Sequence, residues 1–426
     1  MESKQHKIAR AVVRDVLQSA ESDFYRNHFE KNKVDIREAK KGEYTWENIP
    51  FLTRRDIQET TVKERVFRPW SDLDALRVTS GTSSSGVIIV PRMGQRHDSR
   101  SSFYDSYIRA LNPKKMASFS GAQFLYEGIF REYFGVHTLY LEGSDMQVSA
   151  SMLRQYRPDM LAGFVYALNA LMPHISDEIA QDVRSVQLFG EWCSTLQWQE
   201  IGKRFPNARR VSEYSSVESQ SVLGVPCAHL IEEGQKYVHP IPEYVLIEII
   251  DSGTGEIKRA SGERGEIVVT VLRPVAFPLI RYKTGDIARI VHTRCPCGVE
   301  TPVLSIEGRM EIDRIRISGG EINLAEADRV MSHISGIVEP EFEIRYSEFS
   351  DVRGLMQHHI TVALRFDESR TSEDILAGEI MAHFRVSPNM TYAEGVLKGL
   401  YAPLSVARLD QVSGLRKRRR IIRAIS

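Results

Sequence analysis

The chain has 426 residues, 42% hydrophobic and 26% charged, which suits a folded protein of two or more domains. Lys+Arg and Asp+Glu both number 56, so no net field steers the chain toward nucleic acid or an anionic membrane. Four cysteines in this length make no disulfide framework, no apolar run reaches membrane-spanning length, and the opening ESKQHK leads into no signal-peptide core, so a cytoplasmic location is expected.

The first 50 residues alternate amphipathic helical patterns with polar breaks, as in Ala9–Ala20 and Phe24–Lys33. Pro50-Phe51-Leu52-Thr53 reads as a loop whose Thr53 caps a helix, because Asp56 lies three residues on. Strand-like runs follow at Ala75–Val78 and Val87–Val90, with a Gly/Ser/Thr loop between them. Further apolar runs at Met116–Phe119, His137–Leu141, Met160–Gly163 and Ser185–Phe189 are separated by helical stretches, which predicts α/β layers with parallel strands. From about residue 221 the texture changes. Tyr244–Ile250, Gly265–Leu272 and Ile287–Val291 are β-branched runs divided by turns such as Asp251-Ser252-Gly253, and they predict a mainly antiparallel β subdomain. Beyond Gly308-Arg309 short strands and helices mix, as at His359–Phe366 and Glu373–Phe384. The expected architecture is therefore α/β, with a large N-terminal domain over residues 1–307 and a small α+β C-terminal domain over 308–426.

Thr79-Ser80-Gly81-Thr82-Ser83-Ser84-Ser85-Gly86 can bring backbone N–H groups and hydroxyls close to phosphate oxygens, because glycine admits close approach. It is no Walker A loop, since no Gly-Lys-Ser/Thr follows. A Ser/Gly loop alone is also what an ordinary connector looks like. Further segments give it company: Glu213-Tyr214-Ser215-Ser216-Val217-Glu218, Pro278 to Asp286 (PLIRYKTGD), Gly308-Arg309-Met310-Glu311-Ile312-Asp313, and Lys417 in a basic terminal run.

In this order the segments resemble the motif series of the adenylate-forming superfamily, and most of all its phenylacetate–CoA ligase branch, which shares an early Ile-Pro-Phe-x-Thr-like stretch, here Ile49–Thr53. The resemblance runs from about residue 45 to Ile422. It implies ATP- and magnesium-dependent activation of a small carboxylic acid as acyl-AMP, then transfer to coenzyme A. It also implies residue roles. Thr79, Ser80, Gly81, Thr82, Ser83 and Gly86 would hold the ATP phosphates, and Glu191 would lie near the adenine and acyl pockets. Tyr214, with Ser215 beside it, would pack on adenine, and Glu218 would hold magnesium. Asp286 would accept the ribose hydroxyls, Arg309 would contact ribose or phosphate, and Asp313 would be the hinge of a mobile small domain. Lys417 would bridge the attacking carboxylate and the α-phosphate, two anions that otherwise repel. The chain departs from the family pattern in four places: the phosphate loop carries an extra serine and no lysine at its end, Ser215 replaces a usual glycine, Gly308–Asp313 is one residue longer than usual, and Leu415-Arg416 separates Gly414 from Lys417.

Cys295-Pro296-Cys297 could supply two ligands to a structural zinc, with Cys227 and either His239 or His229 completing a Cys3His set; the alternative is a pair of free thiols. Phe124, Tyr126, Phe130, Phe164, Tyr166 and Trp192 offer aromatic walls for an acyl pocket between Phe119 and Glu191, and the branch implies an aryl or arylacetic acid. The acceptor could instead be a separate carrier protein or an amine, and a homodimer is compatible with the pattern. Two other readings remain at this point. One is a relative that binds nucleotide without catalysis. The other is a zinc-containing nucleic-acid-binding protein using the basic run Arg416–Arg420, against which the zero net charge and the absence of finger spacing both stand.

Overall fold

The computed structural model describes residues 3–79, 88–93, 101–119, 131, 134–141, 145–190, 193, 195–309, 314–317, 320–350, 356–387, 389–409 and 421–423. Helices α1 (Lys4–Gln18), α2 (Phe24–Lys31) and α3 (Ile36–Lys41) open the chain. Ser3 caps α1 by accepting the His6 N–H, and Ala9, Val13, Val16 and Leu17 form its buried stripe. Helix α4 (Arg54–Gln58) begins in a full capping box between Thr53 and Asp56, as their spacing predicts. A two-stranded antiparallel hairpin, β1 (Leu73–Val78) and β2 (Ile89–Met93), follows.

Strands β3 (Lys115–Phe119), β4 (His137–Tyr140), β5 (Met160–Gly163), β6 (Ser185–Leu188) and β7 (Arg209–Ser212) form a wholly parallel sheet in the order β4-β3-β5-β6-β7. Helices α5 (Ser102–Leu111), α6 (Met146–Tyr156), α7 (Val165–Leu171), α8 (Asp177–Asp182) and α9 (Thr195–Arg204) accompany it. All four residues of β5 and of β6 are buried, as strands covered on both faces require. Separate apolar clusters lie around Leu161, Val186 and Phe205 and around Tyr107, Met160 and Val211. Strand order reverses between β3 and β5, and ligands of open parallel sheets bind outside the carboxyl ends at such a switch point.

Strands β8 (Tyr214–Ser216), β9 (Ser221–Val225) and β10 (His239–Pro240) make a small antiparallel sheet, with helix α10 (Ala228–Glu232) after β9. Strands β11 (Val245–Ile250), β12 (Ile257–Lys258), β13 (Arg264–Val271), β14 (Tyr282–His292) and β15 (Val303–Arg309) make an antiparallel sheet ordered β12-β11-β13-β14-β15. The change of texture near residue 221 thus marks a real change of architecture. The N-terminal helices share one core with this sheet, through residues such as Leu17, Tyr25, Leu52, Ile267 and Leu279.

Arg281 locks that union. Its side chain is fully buried, chelates Glu248 at 3.1 and 2.9 Å, and donates to the carbonyls of Glu47 and Ile49 at 2.8 and 2.7 Å. The segment around Leu52 pairs with β14 beside it, Leu52 N–H donating to Arg281 O and Lys283 N–H to Leu52 O.

Strand β15 carries Gly308 and Arg309 inside the five-stranded sheet, where Arg309 pairs with Asp286. A distinct core begins at Ile315 and reaches Ile421. It is built from β16 (Arg314–Ile317), β17 (Gly320–Asn323), α11 (Leu324–Met331), β18 (Ile337–Ser350), β19 (Met356–Phe366), α12 (Glu373–His383), β20 (Arg385–Ser387), β21 (Met390–Thr391), α13 (Tyr392–Leu397), β22 (Ser405–Arg408) and β23 (Ile421–Arg423). Its main sheet runs β22-β19-β18-β23. Among the described residues, no helix is long and apolar enough to cross a membrane.

Candidate active site

Two polar arrays lie where the motif segments meet. In the first, Tyr214 on β8 donates its hydroxyl to Asp286 Oδ2 at 2.7 Å, and Arg309 Nε donates to Asp286 Oδ1 at 2.9 Å. Thr284 Oγ1 accepts the Asp286 N–H at 3.0 Å and so fixes the turn that presents the carboxylate. Burial, followed by the Asp286 charge, pushes the Tyr214 phenol well above its usual range, so it remains a donor at any working pH. The Asp286 charge, as the largest influence, holds the Arg309 guanidinium firmly protonated.

The second array centres on Arg54, in the first turn of α4. Its Nη1 donates to Glu218 Oε1 at 2.8 Å and its Nη2 to Thr79 Oγ1 at 3.2 Å. Thr79 also accepts the Ile88 N–H on Oγ1 at 2.9 Å and donates its own N–H to Ile88 O at 3.0 Å. Thr79 and Ile88, which flank the Gly/Ser segment, are therefore pinned together, and Arg54 joins Thr79 to Glu218. Sequence reasoning missed Arg54, although it directly follows the Thr53 cap of the Ile49–Thr53 segment.

Other expected residues fall as follows. Ser215 lies in β8, paired with Val222. Phe164 packs its ring on Gly190, where a Cβ would lie 2.3 Å from the ring, and Gly190 has φ +77°, so two constraints demand glycine there. Gly163, at the end of β5, meets the Phe119 ring equally closely. Phe119, Gly163, Phe164 and Gly190 thus crowd the carboxyl ends of β3, β5 and β6, at the switch point. Ser80, Gly81, Thr82, Ser83, Gly86, Phe124, Tyr126, Glu191, Trp192, Asp313 and Lys417 lie outside the described residues.

Glu213, next to Tyr214, is buried. Gln187 donates to its Oε1, and Tyr107 and Tyr104 also bond to the carboxyl. Burial pushes its carboxyl up to about 7 against these hydrogen bonds.

Cys227, His239, Cys295 and Cys297 converge, with ligand atoms all within 4.8 Å of one another. Cys227 Sγ and Cys295 Sγ are 3.8 Å apart, and Cys297 Sγ lies 3.5 Å from His239 Nε2. A zinc tetrahedron with Zn–S bonds of about 2.3 Å sets sulfurs about 3.8 Å apart. His239 Nδ1 bonds to Thr301 O at 2.9 Å, which leaves Nε2 to face the thiols. Of the two candidate histidines, His239 is therefore the one in the cluster, whereas His229 pairs with Glu233 at 3.2 Å. Burial, and then the neighbouring thiols, push the Cys227 thiol up to about 12. Cys193 packs in the core. The cluster bridges β10 and the end of β9 to the β14–β15 loop, so it fastens the sheet bearing Tyr214 to the sheet bearing Asp286 and Arg309.

No family model matches the chain. Its sequence is 24% identical over 347 residues to the phenylacetate-coenzyme A ligase of Thermus thermophilus, covering 71% of this chain and 74% of that one. With the Escherichia coli phenylacetate-coenzyme A ligase it shares 21% identity over 255 residues, 57% of each chain. Its fold matches a 2-hydroxyisobutyryl-CoA ligase solved in the postadenylation state, with a TM-score of 0.73, 15% identity, and coverage of 99% of this chain and 89% of that one. A structure of the same ligase in the thioesterification state matches at a TM-score of 0.59, with 16% identity over 98% and 88% of the two chains. The parallel core, antiparallel β subdomain and small α+β unit are the architecture of adenylate-forming ligases. Sequence relatives and fold neighbours alike are acyl-CoA ligases, so the chain is similar to the phenylacetate–CoA ligase-like branch of the adenylate-forming superfamily.

Proposed function

We propose that the chain is an AMP-forming ligase that activates a small carboxylic acid with ATP and transfers the acyl group to coenzyme A. The observation that carries this reading is the meeting of five separated segments, represented by Arg54, Thr79, Tyr214 with Glu218, Asp286 and Arg309, in a chain whose relatives are CoA ligases. The acid's carboxylate oxygen attacks the α-phosphorus of ATP, the bond to pyrophosphate breaks, and acyl-AMP results. Asp286 has two oxygens to offer the ribose hydroxyls, and Tyr214 stands beside it to face adenine. Thr79 and the loop it begins would hold phosphates, with Glu191 near adenine and Lys417 bridging the two reacting anions.

Glu218 is the carboxylate that would hold magnesium, whose charge would offset that of the phosphates. A solved O-succinylbenzoate–CoA synthetase contains ATP and magnesium, and the 2-hydroxyisobutyryl-CoA ligase has been solved with its acyl-AMP and CoA, which supports these ligands here. The aromatic crowding at the switch point, Phe119 and Phe164, favours an aromatic acid, with Phe124, Tyr126 and Trp192 as further walls. The Cys3His cluster fits a structural zinc by donor set and spacing, since four protein ligands leave no open position. The small unit, divided from the core just past Arg309, is taken to turn about a hinge near Asp313 between the two half-reactions. A cytoplasmic setting suits this chemistry.

Pyrophosphate release from ATP-Mg, measured over a panel of aryl, arylacetic and aliphatic acids with and without coenzyme A, tests the reading. Release that needs an acid supports it, and stimulation by coenzyme A supports the acceptor over a carrier protein or amine. ATP binding without release for any acid would reduce the chain to a nucleotide-binding relative.

A further inference from the structure

Asp328, on α11 of the small unit, is 2% exposed, and its carboxylate bonds to an element of the core. Its Oδ2 accepts the backbone N–H of Thr195, the first residue of α9, at 2.6 Å. The first turn of a helix has N–H groups without internal partners and the positive end of the helix dipole, so a carboxylate there is well placed. Caps are normally local. This one comes from 133 residues further along the chain, across the packing of α11 and β18 on α9. Lys236 fastens the same stretch from the core side, donating to Cys193 O at 3.0 Å and Thr195 Oγ1 at 3.3 Å.

The bond is also incompletely satisfied. Asp328 Oδ1 is buried and has no hydrogen-bond partner among the described residues. Burying a carboxylate with one oxygen unpaired offsets much of what the other oxygen gains, so separating the surfaces returns both oxygens to water at small net cost. A contact of this kind holds one orientation without freezing it. Thr195 stands five residues after Gly190, so the orientation is referred to the segment proposed to border the acyl pocket.

We propose that Asp328 is a positioning residue that latches the small unit over the core in the orientation used for adenylate formation and lets go for acyl transfer. This rests on the proposed two-step reaction. The fuller match to the postadenylation than to the thioesterification structure of one ligase agrees with it.

The test is hydrogen exchange on the full-length protein without ligands, followed by the two half-reactions. Asp328→Ala should raise exchange about tenfold at Thr195–Trp198 and, in concert, along α11 and β18, because the whole interface opens. Asp328→Asn, whose amide oxygen can still accept, should keep most of the protection. Faster exchange confined to Thr195–Trp198, or none, would show a mere local cap and overturn the latch. With an acid found active in the panel, Asp328→Ala should slow ATP–pyrophosphate exchange about tenfold while transfer from preformed acyl-AMP to coenzyme A keeps its rate; equal slowing of both steps would overturn it too. If the unaltered protein releases no pyrophosphate with any acid, the proposed function fails, while the exchange pattern still decides the role of Asp328.

Discussion

Tyr214 and Asp286 come from different sheets, and the phenol of one donates to the carboxylate of the other at 2.7 Å. With Arg309 on the second oxygen, the carboxylate is aligned before any nucleotide arrives. Groups held in place beforehand cost less to order on binding. Asp286→Ala should therefore weaken ATP binding at least tenfold by calorimetry, while Tyr214→Phe, which leaves the carboxylate on Arg309, should cost less than tenfold. Equal losses would mean that the phenol itself carries the nucleotide.

Arg54 ties Glu218 to Thr79, and so ties the carboxylate proposed for magnesium to the start of the loop proposed for the phosphates. Arg54→Met should lower acid-dependent pyrophosphate release about 10²-fold, a magnitude typical of removing one fixed electrostatic group from a reacting centre. Arg54→Lys should recover only part, because a point charge cannot bond to both partners as a fork does. Wild-type rates in Arg54→Met would make the arginine purely structural.

Glu213 gives a pH signature. Its folded carboxyl titrates near 7 while the unfolded value is near the ordinary 4.5. The protonated form is thus the one the fold accommodates. Its contribution is complete below the unfolded value, declines as pH rises, and is lost once pH passes about 7. Glu213→Gln should remove this dependence and gain on the wild type by roughly 2–4 kcal/mol between pH 5 and pH 8 in urea titrations. Parallel stability curves for the two proteins would contradict it.

The Cys3His cluster should hold about one zinc per chain by elemental analysis. Cys227→Ser or a strong chelator should lower the melting midpoint by about 5 °C or more, since binding energy at such a site is folding energy. Because the cluster fastens the sheet of Tyr214 to that of Asp286, ATP affinity should fall with the metal. A cluster that binds no zinc and melts unchanged would be four packed side chains only.

The parts of this picture that the sequence carried are those encoded by local pattern. The Thr53–Asp56 capping box, the strand at Met160–Gly163 and the antiparallel runs after residue 221 all stand where periodicity and turn residues put them. The cysteines were legible through their chemistry, but the choice of His239 over His229 needed the bond to Thr301. Arg54, Glu213 and Asp328 were not legible as site residues. Each owes its importance to a partner far away in the chain, Glu218, Gln187 or Thr195, and nothing in the neighbouring residues announces such a partner. Likewise Arg309, read as opening the small domain, proved to end a strand of the core because Asp286 holds it there.

The Arg281 clamp has a consequence for biogenesis. Its guanidinium grips Ile49 O across 232 residues of sequence, and among the described residues the core of the N-terminal helices draws largely on β11, β13 and β14. One face of the parallel sheet made between them packs on its own helices. Emerging from the ribosome, the first fifty residues must therefore wait with their apolar stripes unpaired until residue 281 has been synthesised, while the segment that follows them can already fold. The order of folding runs against the order of synthesis, and a chain released before β14 would expose the faces of α1 and α2 to chaperones.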